Sequence, residues 1–369
     1  MEPVVIVGSG LAGYQSAKEI RRLDSNVPLL LVSMDSGNFY SKPMLSNAFS
    51  SGKNPDSLVI KTAAQMADEL DAKVRTDARV DAVFPNDHEI SIGAERLHYS
   101  KLVLALGADP LRLHADALSV NDLSGYAKFR EALEGKRRVA IIGAGLVGCE
   151  FADDLARAGF EVDVFDIASQ PLGRLVTPEC GKWMENAMKS IAWHWGAKIS
   201  KIEKGSILLE DGSAFQTDIV LSAVGLKPRI GLAQDAGMEC ARGILVSRQL
   251  ETSARDVYAI GDCMEVEGQV LPFVMPIMHA SKILAQNVLG KRESLVYPAM
   301  PVVVKTPSCP SVVSPPKPGS IGAWHTEADT DGVKSVFLGE DGKTLGFALC
   351  GKAVSEKNLL AKELPAVLS

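Results

Sequence analysis

Two glycine-rich loops constrain the fold of this chain more than any other feature of its sequence. The first begins at Gly8 and the second at Gly143, and both have the spacing G-x-G-x-x-G. Each follows a short β-branched run and opens a segment with small and apolar residues at helical spacing. In such a loop the first glycine permits a tight turn, the second lets the backbone approach a pyrophosphate, and the third lets the helix pack on the strand. The sequence therefore predicts an α/β fold with two Rossmann-like units.

An acidic residue at the end of the second strand of each unit supports this interpretation. Asp35 follows the predicted strand of residues 28–33, and Asp166 closes the predicted strand of residues 161–166. A carboxylate in this place can accept hydrogen bonds from a ribose diol, while the helix N-terminus holds the phosphates. One glycine loop alone is a weak signal, but two complete units indicate two dinucleotide sites. Hydride transfer between a nicotinamide and a flavin explains such a pair, because the two rings must stack and each cofactor needs its own fold.

The rest of the chain predicts a regular order of elements around the two units. The first unit continues as a helix to about Leu23 and the second as a helix to about Ala158. Further predictions are a hairpin over residues 206–216, a strand over 218–223, a strand and turn over 256–262, and a helix over 276–289. Prolines and glycines break regular structure over residues 306–310 and 315–319. Both breaks lie inside a small C-terminal domain with strands over 320–347 and a last helix over 354–360.

Composition excludes several classes of protein. The net charge of −6 argues against a general nucleic-acid binder, which would show a basic face. The first apolar run is short and follows an acidic residue, so no secretory signal is expected, and no window approaches the roughly 20 apolar residues of a membrane helix. The six cysteines are scattered and form no C-x-x-C unit. We therefore expect reduced thiols, no metal site and a cytoplasmic location.

Five further segments carry motifs along nearly the whole chain. They are residues 40–46 (Y-S-K-P-M-L-S), residues 104–108 (L-A-L-G-A), the second loop continuing into Cys149 and Glu150, residues 223–228 (A-V-G-L-K-P) and residues 258–262 (Y-A-I-G-D). With the two loops, these segments resemble the FAD-dependent pyridine nucleotide oxidoreductases of the glutathione-reductase-like superfamily. The resemblance implies FAD in the first unit and a nicotinamide coenzyme in the second. It also implies that Asp262 binds the ribityl chain of the flavin.

A narrower resemblance is to the bacterial rubredoxin–NAD reductases. It rests on residues 40–46, residues 302–307 (V-V-V-K-T-P) with the following Cys309-Pro310 pair, the break at residues 314–316 and the short C-terminal domain. This resemblance implies that electrons pass from NADH through FAD to rubredoxin, a small one-iron protein, often in alkane hydroxylation. A monomer is expected.

The resemblance also implies a division into three domains. We predict an FAD-binding domain of residues 1–112 and 235–295, an NAD-binding domain of residues 113–234, and a small α+β C-terminal domain of residues 296–369.

Binding residues, and no catalytic acid, base or nucleophile, are expected to form the site, because positioning and electrostatics suffice for hydride transfer to a flavin. By resemblance, Lys42 and Lys305 lie near the flavin, where a cation would stabilise the reduced ring. Glu150 is expected at the junction of the two units. Ferredoxin reductases of the dioxygenase type carry a lysine where this chain has Asn47. This departure weakens the expectation of a Lys–Glu pair and makes Lys42 the candidate cation.

The predicted cofactor-binding residues comprise both loops, the acidic strand ends and the family positions. They are Gly8, Ser9, Gly10, Leu11, Ala12, Gly13, Ser33, Met34, Asp35, Lys42, Pro43, Val80, Ala105, Gly107, Gly143, Gly145, Leu146, Val147, Glu150, Asp166, Gly225, Asp262, Val274 and Lys305. Asp166 favours NADH over NADPH, because a carboxylate repels a 2′-phosphate and no arginine follows closely.

Several alternatives stay open at this point. A disulfide reductase would need two close cysteines, which the sequence lacks, and an NADH oxidase of the sulfenic-acid type would need a thiol within residues 38–51, which contain none. A ferredoxin reductase of an oxygenase system remains possible, as does a flavin-bound switch whose oligomeric state responds to NADH. A nucleotide-binding protein without redox chemistry would be colourless. For an acidic partner, the basic residues to consider are Lys42, Lys305, Lys317 and Arg174.

Overall fold

A five-stranded parallel sheet forms the first unit in the computed structural model, which describes residues 2–203 and 205–369. Its strands lie in the order Val257–Ala259, Lys101–Leu104, Val4–Val7, Leu29–Val32 and Lys73–Arg75. The central strand Val4–Val7 is buried along its whole length, as expected for a parallel sheet that is covered on both faces. The predicted strands at residues 4–7 and 28–33 are confirmed, the second as Leu29–Val32.

Two helices from distant parts of the sequence complete this unit. Leu11–Leu23 packs against Val274–Val288. Because the strand Val257–Ala259 and the helix Val274–Val288 come from late in the chain, the unit is built from two separate stretches of sequence. The predicted helix over residues 276–289 begins two residues earlier than expected, since Pro276 sits in its first turn, where proline costs no hydrogen bond.

The second unit has a four-stranded parallel sheet. The strands lie in the order Ile191–Trp195, Glu161–Asp166, Arg138–Ile142 and Ile219–Ser222. The helices of this unit are Leu123–Ala132, Leu146–Arg157 and Pro178–Ala187. An antiparallel sheet of Ile199–Glu203, Ser206–Leu209 and Ala214–Gln216 follows, and it confirms the predicted hairpin.

A two-stranded connection joins the units where the chain passes between them. Ala108–Pro110 pairs antiparallel with Leu226–Pro228. Arg229 reinforces it, since its guanidinium lies 2.7 Å from Asp109 Oδ1 and donates to the carbonyl of Leu106 at 3.1 Å. The chain therefore leaves the first unit and returns to it through one narrow link.

An antiparallel five-stranded sheet forms the C-terminal part. Its strands lie in the order Val302–Val304, Ser311–Ser314, Thr344–Gly351, Gly332–Gly339 and Gly322–Ala328. The predicted final helix over residues 354–360 is wrong in its limits. A 3₁₀ turn, Lys352–Glu356, comes first and the α-helix spans Lys357–Glu363, since 3₁₀ turns are frequent at the ends of α-helices.

The remaining elements are short and connect these layers. The helical ones are Lys42–Asn47, Pro55–Leu58, Ala63–Leu70, Gly173–Leu175, Gly231–Asp235 and Gly261–Cys263, and the strands are Phe39–Tyr40, Val59–Lys61, Ala82–Phe84, Glu89–Ile92, Glu95–His98, Ile244–Val246 and Met264–Val266. Over residues 2–203 and 205–369, no helix has both the length and the apolar character needed to span a membrane.

Candidate functional site

The first glycine loop is shaped by its outer two glycines and left clear at the middle one. Gly8 adopts a φ of +117°, and a Cβ there would lie 2.2 Å from the carbonyl oxygen of Ala105. A Cβ on Gly13 would lie 1.8 Å from the carbonyl oxygen of Gly8. A Cβ on Gly10, by contrast, would meet no described atom within 4 Å. The loop thus presents bare backbone in front of the N-terminus of helix Leu11–Leu23, as a pyrophosphate site requires.

Asp35 is held beside this loop by a chain of hydroxyl groups. Ser9 Oγ lies 2.6 Å from Ser33 Oγ, and Ser33 Oγ donates to Asp35 Oδ1 at 2.6 Å. The backbone N–H of Gly37 donates to the same oxygen at 2.9 Å. Within the described residues, hydrogen bonds to this carboxylate use Oδ1 alone, so Oδ2 can accept from a ribose hydroxyl. Met34, next to it, is 64% exposed and free to cover a nucleotide.

Tyr14 stabilises the turn that follows Asp35. Its ring is fully buried and its hydroxyl donates to the carbonyl of Gly37. Burial, with a smaller contribution from Asp35, raises the pKa of Tyr14 to about 12. The hydroxyl therefore remains a donor throughout the neutral range.

The second glycine loop repeats the geometry of the first. Gly143 adopts a φ of +99° with its Cβ position 2.7 Å from the carbonyl oxygen of Ala223, and a Cβ on Gly148 would lie 1.8 Å from the carbonyl oxygen of Gly143. The Cβ position of Gly145 is again clear of described atoms. Asp166 accepts from the N–H of Ala144 at 2.5 Å and from that of Ala168 at 2.7 Å. The acidic strand end is thereby fastened to the loop.

These two cradles suit two dinucleotides. In each, bare backbone at the middle glycine faces a helix N-terminus, and a carboxylate lies beside the loop with a lone pair available for a ribose. A dinucleotide has both groups at this spacing.

Glu150 is the point where three parts of the chain meet. It lies on the helix that the second loop opens and is 5% exposed. Its Oε2 accepts from Ser46 Oγ at 2.6 Å and its Oε1 from the N–H of Lys305 at 3.0 Å. The ammonium of Lys305 completes an ion pair with it. The first unit, the second unit and the C-terminal sheet region are therefore tied to one carboxylate.

The prediction that Lys42 is the candidate cation for Glu150 is wrong. A Lys–Glu pair is present, but Lys305 supplies its cation, and Lys42 Nζ instead lies 3.5 Å from Asp262 Oδ2. The replacement of the family's lysine by Asn47 gave no hint of this, because Lys305 arrives from a distant strand end. Since Lys42 and Lys305 each lie against a carboxylate, neither offers unpaired charge to an acidic partner.

Asp262 is placed beside the first loop by a close contact between turns. It lies on the 3₁₀ turn Gly261–Cys263, and a Cβ on Gly261 would be 2.8 Å from the Cβ of Ala12. Gly261 adopts a φ of +83°, so glycine serves both the conformation and the approach. Asp262, and Lys42 through its ion pair with Asp262, therefore lie beside the first loop.

The other predicted residues are more dispersed. Gly107 and Gly225 have φ values of +71° and +117° and flank the two-stranded connection between the units. Val80 and Ala105 are buried in the core of the first unit, and Val274 begins the last helix of that unit. Pro43 lies in the turn Lys42–Asn47, and Leu146 and Val147 begin the helix of the second unit. For Val80 and Val274 no described contact to the other site residues singles out a cofactor role.

Sequence reasoning missed several residues that hold the junction together. Ser46 lies in a recognised motif without having been assigned a role. Asp153 and Asp154, on the helix of Glu150, are 2% and 1% exposed and accept hydrogen bonds from distant segments. The sequence feature that could have indicated them is a pair of carboxylates on an otherwise apolar helix, three and four positions after Glu150 and therefore on the same face.

Five of the six thiols are buried, and Cys240 is partly buried. Burial raises the pKa of Cys149 to about 12 and that of Cys263 to about 11. Cys180, Cys309 and Cys350, far apart in sequence, converge: Ser311 Oγ lies 3.5 Å from both Cys309 Sγ and Cys350 Sγ, and a hydrogen bond with Cys350 raises the pKa of Cys180. All six cysteines are free thiols, and in the described part of the chain no group of three acidic, cysteine or histidine residues is arranged to hold a metal.

Comparisons with known proteins cover the whole chain. Residues 2–283 match the pyridine nucleotide-disulphide oxidoreductase family, and residues 294–364 match a rubredoxin binding C-terminal domain. The Rubredoxin-NAD(+) reductase of Alcanivorax borkumensis is 44% identical over 100% of both chains. That of Acinetobacter baylyi is 40% identical over 100% of this chain and 99% of its own length. The ferredoxin reductase for the CYP199A2 system from Rhodopseudomonas palustris has the same fold, with a TM-score of 0.88 at 24% identity over 99% of this chain and 96% of that one.

Two glycines of the second loop should differ sharply in the effect of one added methyl group. Gly148→Ala should lower the free energy of unfolding by about 1–3 kcal/mol, because its Cβ overlaps backbone. Gly145→Ala should leave the unfolding midpoint of the coenzyme-free protein unchanged, yet weaken NADH binding at least tenfold. Chemical denaturation and NADH titration measure the two effects. Equal destabilisation by both substitutions would contradict the roles given to the two positions.

Removal of the cation at the junction should leave a buried carboxylate unpaired. Lys305→Met should destabilise the protein by roughly 2–4 kcal/mol. Lys42→Met removes the cation of the more exposed pair with Asp262 and should destabilise the protein by about 1 kcal/mol or less. The double variant Glu150→Gln/Lys305→Met should recover part of the loss. Denaturant unfolding of the four proteins gives the comparison, and a Lys42→Met loss as large as that of Lys305→Met would count against the assigned pairing.

Proposed function

Because the chain belongs to the pyridine nucleotide-disulphide oxidoreductase family, we propose that it is an NADH-dependent flavoprotein that passes electrons through FAD to rubredoxin. The observation that carries the proposal is the junction at Glu150. There, Lys305, from the region that matches the rubredoxin binding domain, reaches the helix of the coenzyme loop and the segment of Ser46. The names of the full-length relatives agree with this assignment. As the resemblance implies, we place the protein in an alkane hydroxylation electron-transfer chain.

The first unit holds FAD in this proposal. The backbone at Gly10 and the N-terminus of helix Leu11–Leu23 bind the pyrophosphate, Asp35 binds the adenosine ribose, and Asp262 binds the ribityl chain. Lys42 and Lys305 place their ammonium groups near the flavin ring, each held in position by a carboxylate. Bound there, FAD supplies the ability to accept a hydride from NADH and to deliver electrons singly to an iron centre.

The second unit holds NADH. Gly145 and the helix Leu146–Arg157 bind the pyrophosphate of the coenzyme, and Asp166 accepts from the ribose hydroxyls. Because Glu150 lies on this same helix, the coenzyme site and the flavin site share one rigid element. The chain itself therefore contributes binding, orientation and charge, with no side chain acting as acid, base or nucleophile.

Three further properties are proposed together with this function: the domain division, the oligomeric state and the location. The FAD-binding domain comprises residues 1–112 and 235–295, the NAD-binding domain residues 113–234, and the small C-terminal domain residues 296–369. We also propose a monomer in the cytoplasm, which the six free thiols support.

Thiol-based reactions are less well supported by the same site. Cys149, next to Glu150, is fully buried, and burial raises its pKa to about 12. A thiol of this kind is neither a nucleophile nor a relay at neutral pH. A ferredoxin reductase and an NADH-responsive switch remain the rival functions, and the acceptor decides between them.

Coenzyme choice should depend on the end of strand Glu161–Asp166. Ile167, directly after Asp166, is 77% exposed and can be replaced without disturbing the core. The double variant Asp166→Ala/Ile167→Arg should shift the ratio of kcat/KM for NADPH over NADH by about 100-fold, because a repelling charge becomes an attracting one. The matched control is Asp163→Ala on the same strand, which removes a partner of His194 and should leave the ratio unchanged. An NADPH ratio that stays within threefold in the double variant would refute the role of Asp166.

The acceptor should be rubredoxin. Anaerobic stopped-flow oxidation of NADH by the FAD-loaded protein should run at least tenfold faster with rubredoxin than with a two-iron ferredoxin. A preference for ferredoxin would instead identify an oxygenase reductase. Slow turnover with both acceptors, a long-lived charge-transfer band and NADH-dependent dimerisation would identify the switch.

A further inference from the structure

The helix Leu146–Arg157 carries three buried carboxylates on one face. Glu150, Asp153 and Asp154 are 5%, 2% and 1% exposed, and positions i, i+3 and i+4 of a helix are neighbours. Burial of a carboxylate is costly unless hydrogen bonds replace its water. Each of the three obtains those bonds from segments outside its own unit.

Asp154 holds the segment that follows Ser46. Its Oδ2 accepts from the N–H of Phe49 at 2.8 Å, and its Oδ1 accepts from the N–H of Ser50 at 3.1 Å and from Ser50 Oγ at 2.5 Å. Ser46 itself donates to Glu150. The stretch of residues 46–50 is thus fastened at both ends to the same helix.

Asp153 holds the segment that follows Lys305 in the same way. Its Oδ2 accepts from the N–H of Ser308 at 3.2 Å, while the N–H of Lys305 donates to Glu150 Oε1. Both segments therefore lie along the helix with one attachment at Glu150 and a second attachment one turn further on. Among the described residues, neither aspartate has a lysine, arginine or histidine within ion-pair distance, so backbone and hydroxyl donors alone stabilise these charges.

We propose that Asp153 and Asp154 are positioning residues for the electron-transfer site. Asp153 fixes Lys305, and Asp154 fixes Ser46, against Glu150. Together they set where the positive charge of Lys305 lies beside the flavin. The inference rests on the proposed function, since it needs FAD in the first unit. Neither aspartate touches a cofactor in this account, because each acts through the segment that it holds.

The two aspartates should respond differently to replacement by asparagine. Asp153 accepts its described hydrogen bond through one oxygen, and asparagine retains one acceptor oxygen. Asp154 uses both oxygens, so an asparagine there must direct an NH₂ group at a backbone or hydroxyl donor. Asp153→Asn should therefore preserve the arrangement and Asp154→Asn should not.

The test is the redox equilibrium of bound FAD, titrated against a reference dye with no rubredoxin present. Asp153→Ala, Asp154→Ala and Asp154→Asn should each change the ratio of reduced to oxidised flavin at fixed dye poise by threefold or more, whereas Asp153→Asn should stay within threefold of the wild type. The Ala variants should also raise KM for NADH more than they lower kcat with ferricyanide as acceptor, since binding geometry is loosened.

The matched control is Glu19→Ala, which removes a buried carboxylate from the first helix, where it pairs with Arg22 at 2.8 Å. It should lower stability and leave the flavin equilibrium within threefold. If all four aspartate variants remain within threefold, the carboxylates only stabilise the junction and the proposal is overturned. If the Ala variants do not fold, the comparison of Asp153→Asn with Asp154→Asn decides alone, and equal behaviour overturns it.

This outcome is separate from that of the proposed function. A wild-type protein that binds FAD but does not reduce rubredoxin would refute the acceptor. It would leave the flavin equilibria of the variants as a valid test of the two aspartates.

Discussion

The buried carboxylate of Glu150 is the interaction on which the arrangement of the whole chain depends. It accepts from Ser46 and pairs with Lys305, although those two residues are separated by 259 positions in sequence. A carboxylate that is 5% exposed needs such partners, because its lost hydration must be replaced. The same requirement that stabilises the charge also fixes the relative positions of three parts of the chain. Hydride transfer between two cofactors requires such fixed positions, since small displacements of the reacting groups slow the reaction strongly.

The two dinucleotide units show one physical solution used twice. In both, the first glycine is required by a positive φ and by backbone contact, and the third by backbone contact alone. The middle glycine leaves open space in front of a helix N-terminus. The carboxylates differ in detail. Asp35 leaves Oδ2 without a described partner, whereas both oxygens of Asp166 accept hydrogen bonds, one from Ala144 in the loop and one from Ala168 after the strand. A ribose would therefore meet a freer acceptor in the first unit and a more rigid one in the second.

The chemistry of the site follows from what surrounds it. The thiol beside Glu150 is buried, and its raised pKa removes it from reactivity at neutral pH. The available groups are carboxylates, lysines and backbone N–H groups, which bind and orient. Such a set suits a reaction in which the cofactors do the chemistry and the chain supplies positions and charge.

The sequence by itself determined the two units, because a strand, a glycine loop, a helix and a terminal carboxylate are local features whose geometry depends on neighbouring residues. It also located Asp262, Lys42, Glu150 and Lys305 as positions of interest, through motifs that resemble those of a known family. Only the tertiary structure decided that Lys305 pairs with Glu150 and Lys42 with Asp262. It alone brought Asp153 and Asp154 to their distant donors and the three cysteines together. The ion pairs and the aspartate contacts join residues more than a hundred positions apart, and the cysteines come from separate elements. The partners depend on how these parts pack, which no local pattern of residues encodes.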